Sequence, residues 1–403
     1  MKVVQVDTLR LGEFPNLLWV VVRTDEGLVG LGETFFGAQA VEGYVHETAA
    51  PYLLGRDPLQ IERHARALRE SSYLGAVGSG AETRGRSAVD IALWDLWGRA
   101  TGQPLYQLLG GASRERIRVY NTCAGYRYVR DRPRQAVDNW GLPKGDPEGP
   151  YEDLDAFLDR ADELAHSLLE QGITGMKIWP FDPYAEQTGG QYISNPDLDR
   201  ALEPFRKIRA AVGSRMDVMV EFHALWNLPM ACKIARALEE FEPFWFEDPV
   251  RVDDLGMLER FARATRVPVA ASEILAGQAA FRELLERVAV GVVIFDVSWT
   301  GGLTEAKRVA ALAETHGLPI APHDCTGPVV LAASTHLSVS APNALVQETV
   351  RASYTSWYRD LVTALPPIVD GHITPLEGPG LGLELVPGLE RRPDAVLRSS
   401  TLE

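Results

Sequence analysis

The sequence has little cysteine, fewer basic than acidic residues, and no long hydrophobic run. Its three cysteines, Cys123, Cys232 and Cys325, follow no disulfide or metal-binding pattern, which is typical of a reducing cytoplasm. Lysine and arginine total 40 against 55 acidic residues, and the net charge of −15 argues against nucleic-acid binding. No apolar stretch approaches the roughly 18 residues of a membrane span, and the first residues predict a strand rather than a signal peptide. We therefore expect a cytoplasmic protein without nucleic-acid or membrane partners.

The hydrophobic pattern changes near residue 116. Hydrophobic residues make up 46% of the 403-residue chain, enough for a large core and more than one domain. Residues 1–115 start with alternating apolar runs and continue with helical spacing, which predicts an α+β capping domain. Residues 116–365 alternate short apolar runs with amphipathic segments, which predicts an α/β fold, a (β/α)-barrel of a modified TIM type. The Pro- and Gly-rich segment 366–403 is expected to pack back on the capping domain.

Three glutamates recur at the ends of successive apolar runs. Glu221, Glu247 and Glu273 stand 26 residues apart, close to the length of one strand-helix unit, so a parallel barrel would place them side by side. Three converging carboxylates would repel one another and would be costly to desolvate without a cation. Because hard oxygen ligands suit Mg²⁺, the series predicts a magnesium-dependent enzyme.

The same period continues through further polar residues at predicted strand ends. Asp296, His323 and Glu348 follow at steps of 23, 27 and 25 residues. Lys177 precedes the glutamates by 44 residues, across a Gly- and Tyr-rich insertion. His223 stands two residues beyond the first glutamate and is expected on the same face of its strand. One polar strand end is common by chance, but a whole series of them indicates an active site.

These segments resemble the enolase superfamily, in its mandelate racemase-like subgroup. The resemblance covers nearly the whole chain, from the α+β domain through the helix AVDIALWDLWGRATGQPLYQLLGG to the barrel. Within the subgroup, the segments MKIWPFD, VEFHALWN, WFEDP and APHDCTGP are most similar to the acid-sugar dehydratases of the gluconate and galactonate type. The resemblance also implies assembly as a homo-oligomer.

The resemblance implies a role for each member of the series. The three glutamates would hold Mg²⁺, and Asp296 and His323 would form the dyad that removes the proton α to the substrate carboxylate. Glu348 would lie against that carboxylate, and His223 would protonate the departing hydroxyl. Racemases of the subgroup carry a Lys-x-Lys pair on the second barrel strand, whereas this chain has only Lys177 there.

The expected reaction is the Mg²⁺-dependent dehydration of a sugar acid, with an aldonate favoured. Loss of the α-proton to His323 would give a metal-stabilised enediolate, loss of the β-hydroxyl would follow, and the product would be a 2-keto-3-deoxy acid. Lys177 would add positive charge at the carboxylate. Three alternatives remain open: a racemase or epimerase on the same scaffold, Schiff-base chemistry at Lys177, and a non-catalytic barrel protein.

Two tryptophans and two aspartates accompany the series. Trp179 and Trp226 are expected to line the substrate pocket, although packing at the barrel rim would explain them too. Asp248 and Asp324 each directly follow a member of the series and are therefore out of register. We expect these two carboxylates to support the site or cap loops rather than face the substrate.

Substrate choice is expected to come from the capping domain. The Gly-rich segments 33–44 and 71–86 are expected to be loops that move over the barrel mouth, and the polar segment 131–151 is expected to be a further long loop. Arg84 and Arg86 leave two interpretations open. They could bind a second carboxylate, which would favour a diacid, or they could cap helices or face solvent.

Overall fold

The computed structural model describes residues 1–70, 80–130 and 149–402. Its strands form a four-stranded sheet and a larger sheet that closes into a barrel. The strands are β1 (Val3–Leu11), β2 (Leu17–Thr24), β3 (Val29–Phe35), β4 (Ile117–Thr122), β5 (Gly175–Ile178), β6 (Asp217–Glu221), β7 (Trp245–Glu247), β8 (Val269–Ala271), β9 (Val292–Asp296), β10 (Ile320–His323), β11 (Gln347–Thr349), β12 (Ile368–Val369), β13 (His372–Ile373) and β14 (Ala395–Thr401).

Helices cover one face of the four-stranded sheet and follow the strands of the barrel. None in the described ranges is long and apolar enough to cross a membrane. The helices are α1 (Ala38–Tyr44), α2 (Ala50–Leu53), α3 (Ile61–Glu70), α4 (Ala81–Thr101), α5 (Leu105–Leu108), α6 (Asp153–Asp159), α7 (Ala161–Glu170), α8 (Asp182–Thr188), α9 (Asn195–Val212), α10 (Leu228–Leu238), α11 (Leu255–Ala262), α12 (Gly277–Arg287), α13 (Gly302–Thr315), α14 (Pro328–Ser340), α15 (Arg351–Thr355) and α16 (Tyr358–Leu361).

The four-stranded sheet is antiparallel, in the order β14-β1-β2-β3. Helix α4 packs closely on β3 because two glycines of that strand leave room for its backbone. A Cβ added at Gly32 would lie 1.8 Å from the carbonyl oxygen of Ala88, and one at Gly30 would lie 2.0 Å from that of Ala92. This close packing fixes α4, and with it the end of α4 that faces the barrel, relative to the sheet.

The barrel consists of the eight parallel strands β4 to β11, each paired with its neighbour in chain order from β4 to β10. Strand β11 pairs with β4. The ring closes between β10 and the residues before β11, where the Ile320 N–H donates to the Asn343 carbonyl at 2.9 Å and the Leu345 N–H donates to the Ile320 carbonyl at 2.8 Å. The predicted (β/α)-barrel with an α+β cap is confirmed.

The inside of the barrel is a packed apolar core. Tyr120, Met219 and Trp245 are fully buried there with Ile294 and Val346, as expected for a barrel whose inward side chains fill its centre. The core closes the barrel from below, so polar groups at the carboxyl ends of the strands can meet only above it.

The cap is joined to the barrel at that same end through two buried acids. Glu33 of β3 accepts hydrogen bonds from the N–H groups of Val329 and Val330, at 3.0 and 2.9 Å, in the first turn of α14. Asp90 of α4 accepts from the N–H and hydroxyl groups of Thr304, at 2.9 and 2.6 Å, in the first turn of α13. Carboxylates at helix N-termini satisfy otherwise unpaired N–H groups and complement the helix dipole. The cap is therefore held over the barrel mouth.

The C-terminal segment contacts both sheets. Strand β14 pairs with β1 of the capping sheet, whereas β13 pairs with the beginning of β4 in the barrel. Part of the segment predicted to pack on the cap thus lies against the barrel. The predicted domain limits at residues 115 and 365 stay a prediction.

Two predicted loops differ from the structure. The segment 33–44 is largely regular, since it contains the end of β3 and all of α1, and Phe36 in between has a positive φ of 66°. From Ala81 onward the segment 71–86 belongs to α4, while residues 71–79 lie outside the described residues. The predicted long loop 131–151 also falls outside them, except for its last three residues.

We predict that Glu33→Gln lowers the free energy of unfolding by about 1–3 kcal/mol, the usual effect of leaving a buried donor unpaired. Both carboxylate oxygens of Glu33 accept N–H groups, the second one from Trp19 Nε1 at 2.7 Å. An amide would therefore face one N–H donor with its own NH₂ group. Chemical denaturation followed by circular dichroism measures the change. Glu283→Gln on the exposed face of α12 is the control and should change stability by less than about 0.5 kcal/mol; equal effects of the two substitutions would contradict the account.

Candidate active site

The polar strand ends predicted from the sequence meet around one small cavity. Strand register places Glu221 beside Glu247 and Asp296 beside His323. The cavity has a volume of about 20 Å³, so lining groups must move before a sugar acid can enter. It is lined by Phe36, Thr122, Tyr128, Lys177, Trp179, Glu221, His223, Glu273, Trp299, His323 and Cys325.

The three predicted metal ligands lie together. Each of Glu221, Glu247 and Glu273 offers a carboxylate oxygen, and the three oxygens lie within 4.8 Å of one another. Oxygens around Mg²⁺ lie at most about 4.2 Å apart at ligand distances of 2.0–2.1 Å, so a small contraction would complete such a site. Glu221 Oε2 is buried and accepts no hydrogen bond from the part of the chain that the structure describes, so its lone pairs are available to a cation. The residues therefore fit a divalent metal.

The charge of these carboxylates is partly balanced by Lys177. Its Nζ lies 2.7 Å from Glu247 Oε1, 2.9 Å from Glu348 Oε1 and 3.4 Å from Glu221 Oε2. Burial lowers the pKa of Lys177, but Glu247 and Glu348 outweigh it and hold the pKa well above the ordinary value. Burial and the Glu221 charge raise the pKa of Glu247. One lysine thus leaves the cluster with an excess of negative charge.

Glu348 is held by donors on both oxygens. Oε1 accepts from the Thr122 hydroxyl and contacts Lys177, and Oε2 accepts from the Asp324 N–H at 2.8 Å. Burial opposes ionisation of Glu348, yet Lys177 and His323 lower its pKa to about 2. Glu348 is therefore an anion that fixes the lysine ammonium above the barrel core.

His323 lies between two carboxylates. Its Nδ1 is 2.8 Å from Asp296 Oδ2, and its Nε2 is 3.0 Å from Glu273 Oε2 and 3.2 Å from Cys325 Sγ. Asp296 is oriented in turn by the N–H and hydroxyl groups of Ser298, at 2.6 and 2.7 Å. Although burial lowers the pKa of His323, Glu273 and other neighbouring groups raise it well above the ordinary value.

A second histidine–aspartate pair contains one predicted residue, His223, and one that was not predicted, Asp182. His223 does not lie on its strand as expected; it lies in the turn beyond β6, with a φ of 48°. The turn still brings it to the cavity, because the His223 N–H donates to Glu221 Oε1 at 2.8 Å. Its ring Nδ1 is 2.7 Å from Asp182 Oδ2, at the start of α8. Burial lowers the pKa of His223, but Asp182 and Glu221 raise it to about 9.

The two histidines approach the cavity from opposite sides of the barrel. His223 follows β6 and His323 ends β10, and these strands are four positions apart in the ring of eight. Each ring has its Nδ1 on an aspartate, both residues line the cavity, and an imidazole can accept or donate a proton. The site therefore offers two proton-transfer groups on two sides of one ligand.

The two tryptophans and two aspartates that accompany the series differ in their surroundings. Trp179 lines the cavity, as predicted, and its ring lies 5.7 Å from that of His223. Trp226 is not among the described residues that line it and is buried in the core, so its place in the substrate pocket stays a prediction. Asp248 accepts from the Ser272 hydroxyl at 3.0 Å, and both carboxylate oxygens of Asp324 are buried without a hydrogen bond in the described ranges.

Several residues that line the cavity or contact its lining were not predicted from the sequence. Asp182 belongs to the segment MKIWPFD, but it follows the strand at no periodic position, and Phe36 comes from the cap. Tyr128 and Trp299 lie after barrel strands, where an aromatic side chain is no signal of function by itself.

Comparisons with known proteins agree with this architecture. Residues 13–110 match the N-terminal domain of the mandelate racemase/muconate lactonizing enzyme family, and residues 159–388 match the enolase C-terminal domain-like family. A D-galactonate dehydratase of Pectobacterium atrosepticum is 31% identical over 393 residues, which cover 96% of this chain and 92% of that protein.

Two solved structures are similar over the whole length. An enolase of the mandelate racemase subgroup from Agrobacterium tumefaciens is 55% identical with a TM-score of 0.88, covering 100% of this chain and 99% of that one. An enolase protein from environmental sequencing of the Sargasso Sea is 43% identical, with the same TM-score and the same coverage. The full-length relatives confirm the predicted enzyme class, a dehydratase. The chain belongs to the mandelate racemase/muconate lactonizing enzyme family of the enolase superfamily.

Proposed function

We propose that this protein catalyses the metal-dependent dehydration of a sugar acid to a 2-keto-3-deoxy acid. The observation that carries the proposal is the pair of histidine–aspartate dyads on opposite sides of one cavity. A dehydration needs a base for the α-proton and an acid for the leaving hydroxyl, and two separate groups can supply these functions. Full-length relatives named D-galactonate dehydratase support the same reaction class.

Glu221, Glu247 and Glu273 would hold the metal, and Mg²⁺ suits their oxygen donors. When bound, the cation supplies Lewis-acid stabilisation of the negative charge that develops on the substrate carboxylate. Lys177 adds a second positive charge beside that carboxylate, and Glu348 keeps the ammonium in place. The ligand set and these roles are part of the proposal, as are a cytoplasmic location and assembly as a homo-oligomer.

His323 removes the α-proton. The proton of the C2–H bond moves to Nε2, and the electron pair is left on the substrate. Nε2 now contacts Glu273 at 3.0 Å, a carboxylate that would serve as a ligand of the metal, and Nε2 must be deprotonated to act as the base. Asp296 on Nδ1 then stabilises the imidazolium that forms.

His223 completes the elimination. With a pKa of about 9, it is an imidazolium at neutral pH and can give a proton to the β-hydroxyl as the C3–O bond breaks. Water leaves, the electron pair forms the C2–C3 double bond, and the enol becomes the keto acid. The Asp182 carboxylate stabilises the protonated form of His223 until the proton is transferred to the leaving hydroxyl.

The alternative reactions are less well supported than dehydration. Schiff-base chemistry needs a neutral lysine, whereas the carboxylates around Lys177 keep it protonated. A racemase would use two such groups, one as base and one as acid on opposite faces of the α-carbon, so the full-length relatives named D-galactonate dehydratase are what favours dehydration over racemisation. A non-catalytic protein would have no physical need for two oriented histidines beside a buried carboxylate cluster.

We predict that His323→Asn lowers the rate of dehydration by at least the roughly 10²–10⁴-fold that a general base contributes. It should also abolish exchange of the α-proton in D₂O. Mg²⁺ binding, measured by calorimetry, should remain, because His323 is not one of the proposed metal ligands. The control is His316→Asn, an exposed position outside the site, which should keep full activity. A fully active His323→Asn protein would refute the role of the base.

We predict that His223→Asn stops dehydration but keeps α-proton exchange, because only the departure of the hydroxyl needs its proton. Asp182→Asn should act more mildly and through pH. Loss of Asp182 lowers the pKa of His223, so the decline of activity at high pH should begin at a lower pH than in the native enzyme. Rates across pH and exchange in D₂O measure both effects; equal loss of exchange and dehydration in His223→Asn would contradict this division.

We predict that Glu273→Gln weakens Mg²⁺ binding by more than the roughly 10–100-fold lost when a ligand's supporting partner is removed. The reason is the loss of one of three charged oxygens. Added Mg²⁺ should raise the unfolding temperature of the native protein and raise that of the variant much less. Glu33→Gln removes a buried glutamate outside the triad and should keep native Mg²⁺ affinity. Unchanged affinity in Glu273→Gln would exclude it as a ligand.

A further inference from the structure

Arg84 is a guanidinium beside the candidate active site that has no acceptor in the described chain. It lies in the first turn of α4, and its Nε atom is buried without a hydrogen bond. Its Cζ atom lies 4.7 Å from the centre of the Trp299 ring and 5.5 Å from that of Phe36. Within the described ranges its side chain makes no hydrogen bond or ion pair.

The two rings that hold Arg84 are part of the cavity wall. Phe36 and Trp299 both line the cavity, and their ring centres are 5.7 Å apart. The Trp299 ring lies in turn 4.9 Å from that of His323. The guanidinium can therefore be no farther from the imidazole of the proposed base than the sum of 4.7 and 4.9 Å.

Arg84 is only partly exposed, and Asp296 and Glu273 act on its charge without a hydrogen bond or ion pair to it, so an anionic ligand would complete its charge balance. Burial lowers the pKa of Arg84 to about 10, which still leaves it charged at neutral pH. Stacking on aromatic faces orients the guanidinium plane but leaves its N–H edges free. Two parallel N–H groups on such an edge match a carboxylate.

We propose that Arg84 binds a second carboxylate, at the far end of the substrate, and that the substrate is accordingly a dicarboxylic acid sugar. This rests on the proposed function. An extended six-carbon chain spans roughly 6 Å between its terminal carbons, so its two ends could lie on the His323 side and on the Arg84 side of the Trp299 ring. The assignment replaces the aldonate expected from the sequence, in which the far end is a neutral CH₂OH group.

Arg86, which the sequence could not distinguish from Arg84, has different surroundings. Its Nε is also buried without a hydrogen bond among the described residues, but its Nη2 donates to the Thr83 hydroxyl at 3.0 Å. It lines a separate cavity with His64, Arg69 and Glu305. Arg86 therefore provides a matched control on the same helix.

The test compares acid sugars that differ only at C6, galactarate against galactonate and glucarate against gluconate. The full chain with Mg²⁺ should show a higher kcat/KM for a diacid than for its matched monoacid. Arg84→Gln should lower kcat/KM for the diacid roughly ten- to hundredfold, the usual effect of losing hydrogen bonds to a charged group, mainly through KM. Its effect on the monoacid should be small. Arg84→Lys should restore part of the loss, and Arg86→Gln should resemble the native enzyme.

A binding measurement separates this inference from the proposed function. In the His323→Asn background, calorimetry should show the diacid binding more tightly than the monoacid, and Arg84→Gln should remove the difference. The role of Arg84 would be overturned if Arg84→Gln lowered the affinity for both acids equally. It would also be overturned if the native protein preferred the monoacid and Arg84→Gln left that preference unchanged. Both outcomes would leave the proposed dehydration intact. If no acid of the panel loses water or exchanges its α-proton, the proposed function fails, and the inference fails with it.

Discussion

The rest of the site depends on the burial of several carboxylates around one lysine. Four carboxylates converge above the barrel core, those of Glu221, Glu247, Glu273 and Glu348. The Lys177 ammonium contacts three of them and balances part of their negative charge. Like charges that close together are stable only with more positive charge nearby. A divalent cation fits this deficit, and so does the positively charged His323, whose Nε2 now contacts Glu273. In the proposed mechanism, metal binding and the protonation of His323 are therefore coupled through Glu273.

The cap turns this charged rim into an enclosed site. Glu33 and Asp90 bind the first turns of the helices that follow β10 and β9, the strands that end in His323 and Asp296. The same β3–α4 unit carries Phe36 to the cavity wall and Arg84 beside it. The contacts that hold the two parts together therefore also set the distance between the polar strand ends of the barrel and these two residues of the cap.

Periodicity predicts much of this and fails where the chain leaves the period. The 26-residue spacing placed three glutamates on adjacent positions because every barrel unit repeats the same strand-helix length. Asp182 was not predicted because it follows β5 at the start of a helix, outside the periodic series. His223 reaches the cavity through a turn with a positive φ, which the sequence pattern does not predict. Trp226 lies in the core, where an aromatic residue near a strand end can be buried as readily as it can line a pocket. The two arginines of α4 could be separated only by their surroundings.

The most direct test of the account is proton NMR of the native protein with Mg²⁺ and acid sugars in D₂O. Dehydration predicts loss of the C2 proton together with a new C3 signal, in which one of the two C3 hydrogens comes from solvent. Loss of the C2 proton without a new C3 signal would contradict the account, because it would show that the base acts but that no hydroxyl leaves.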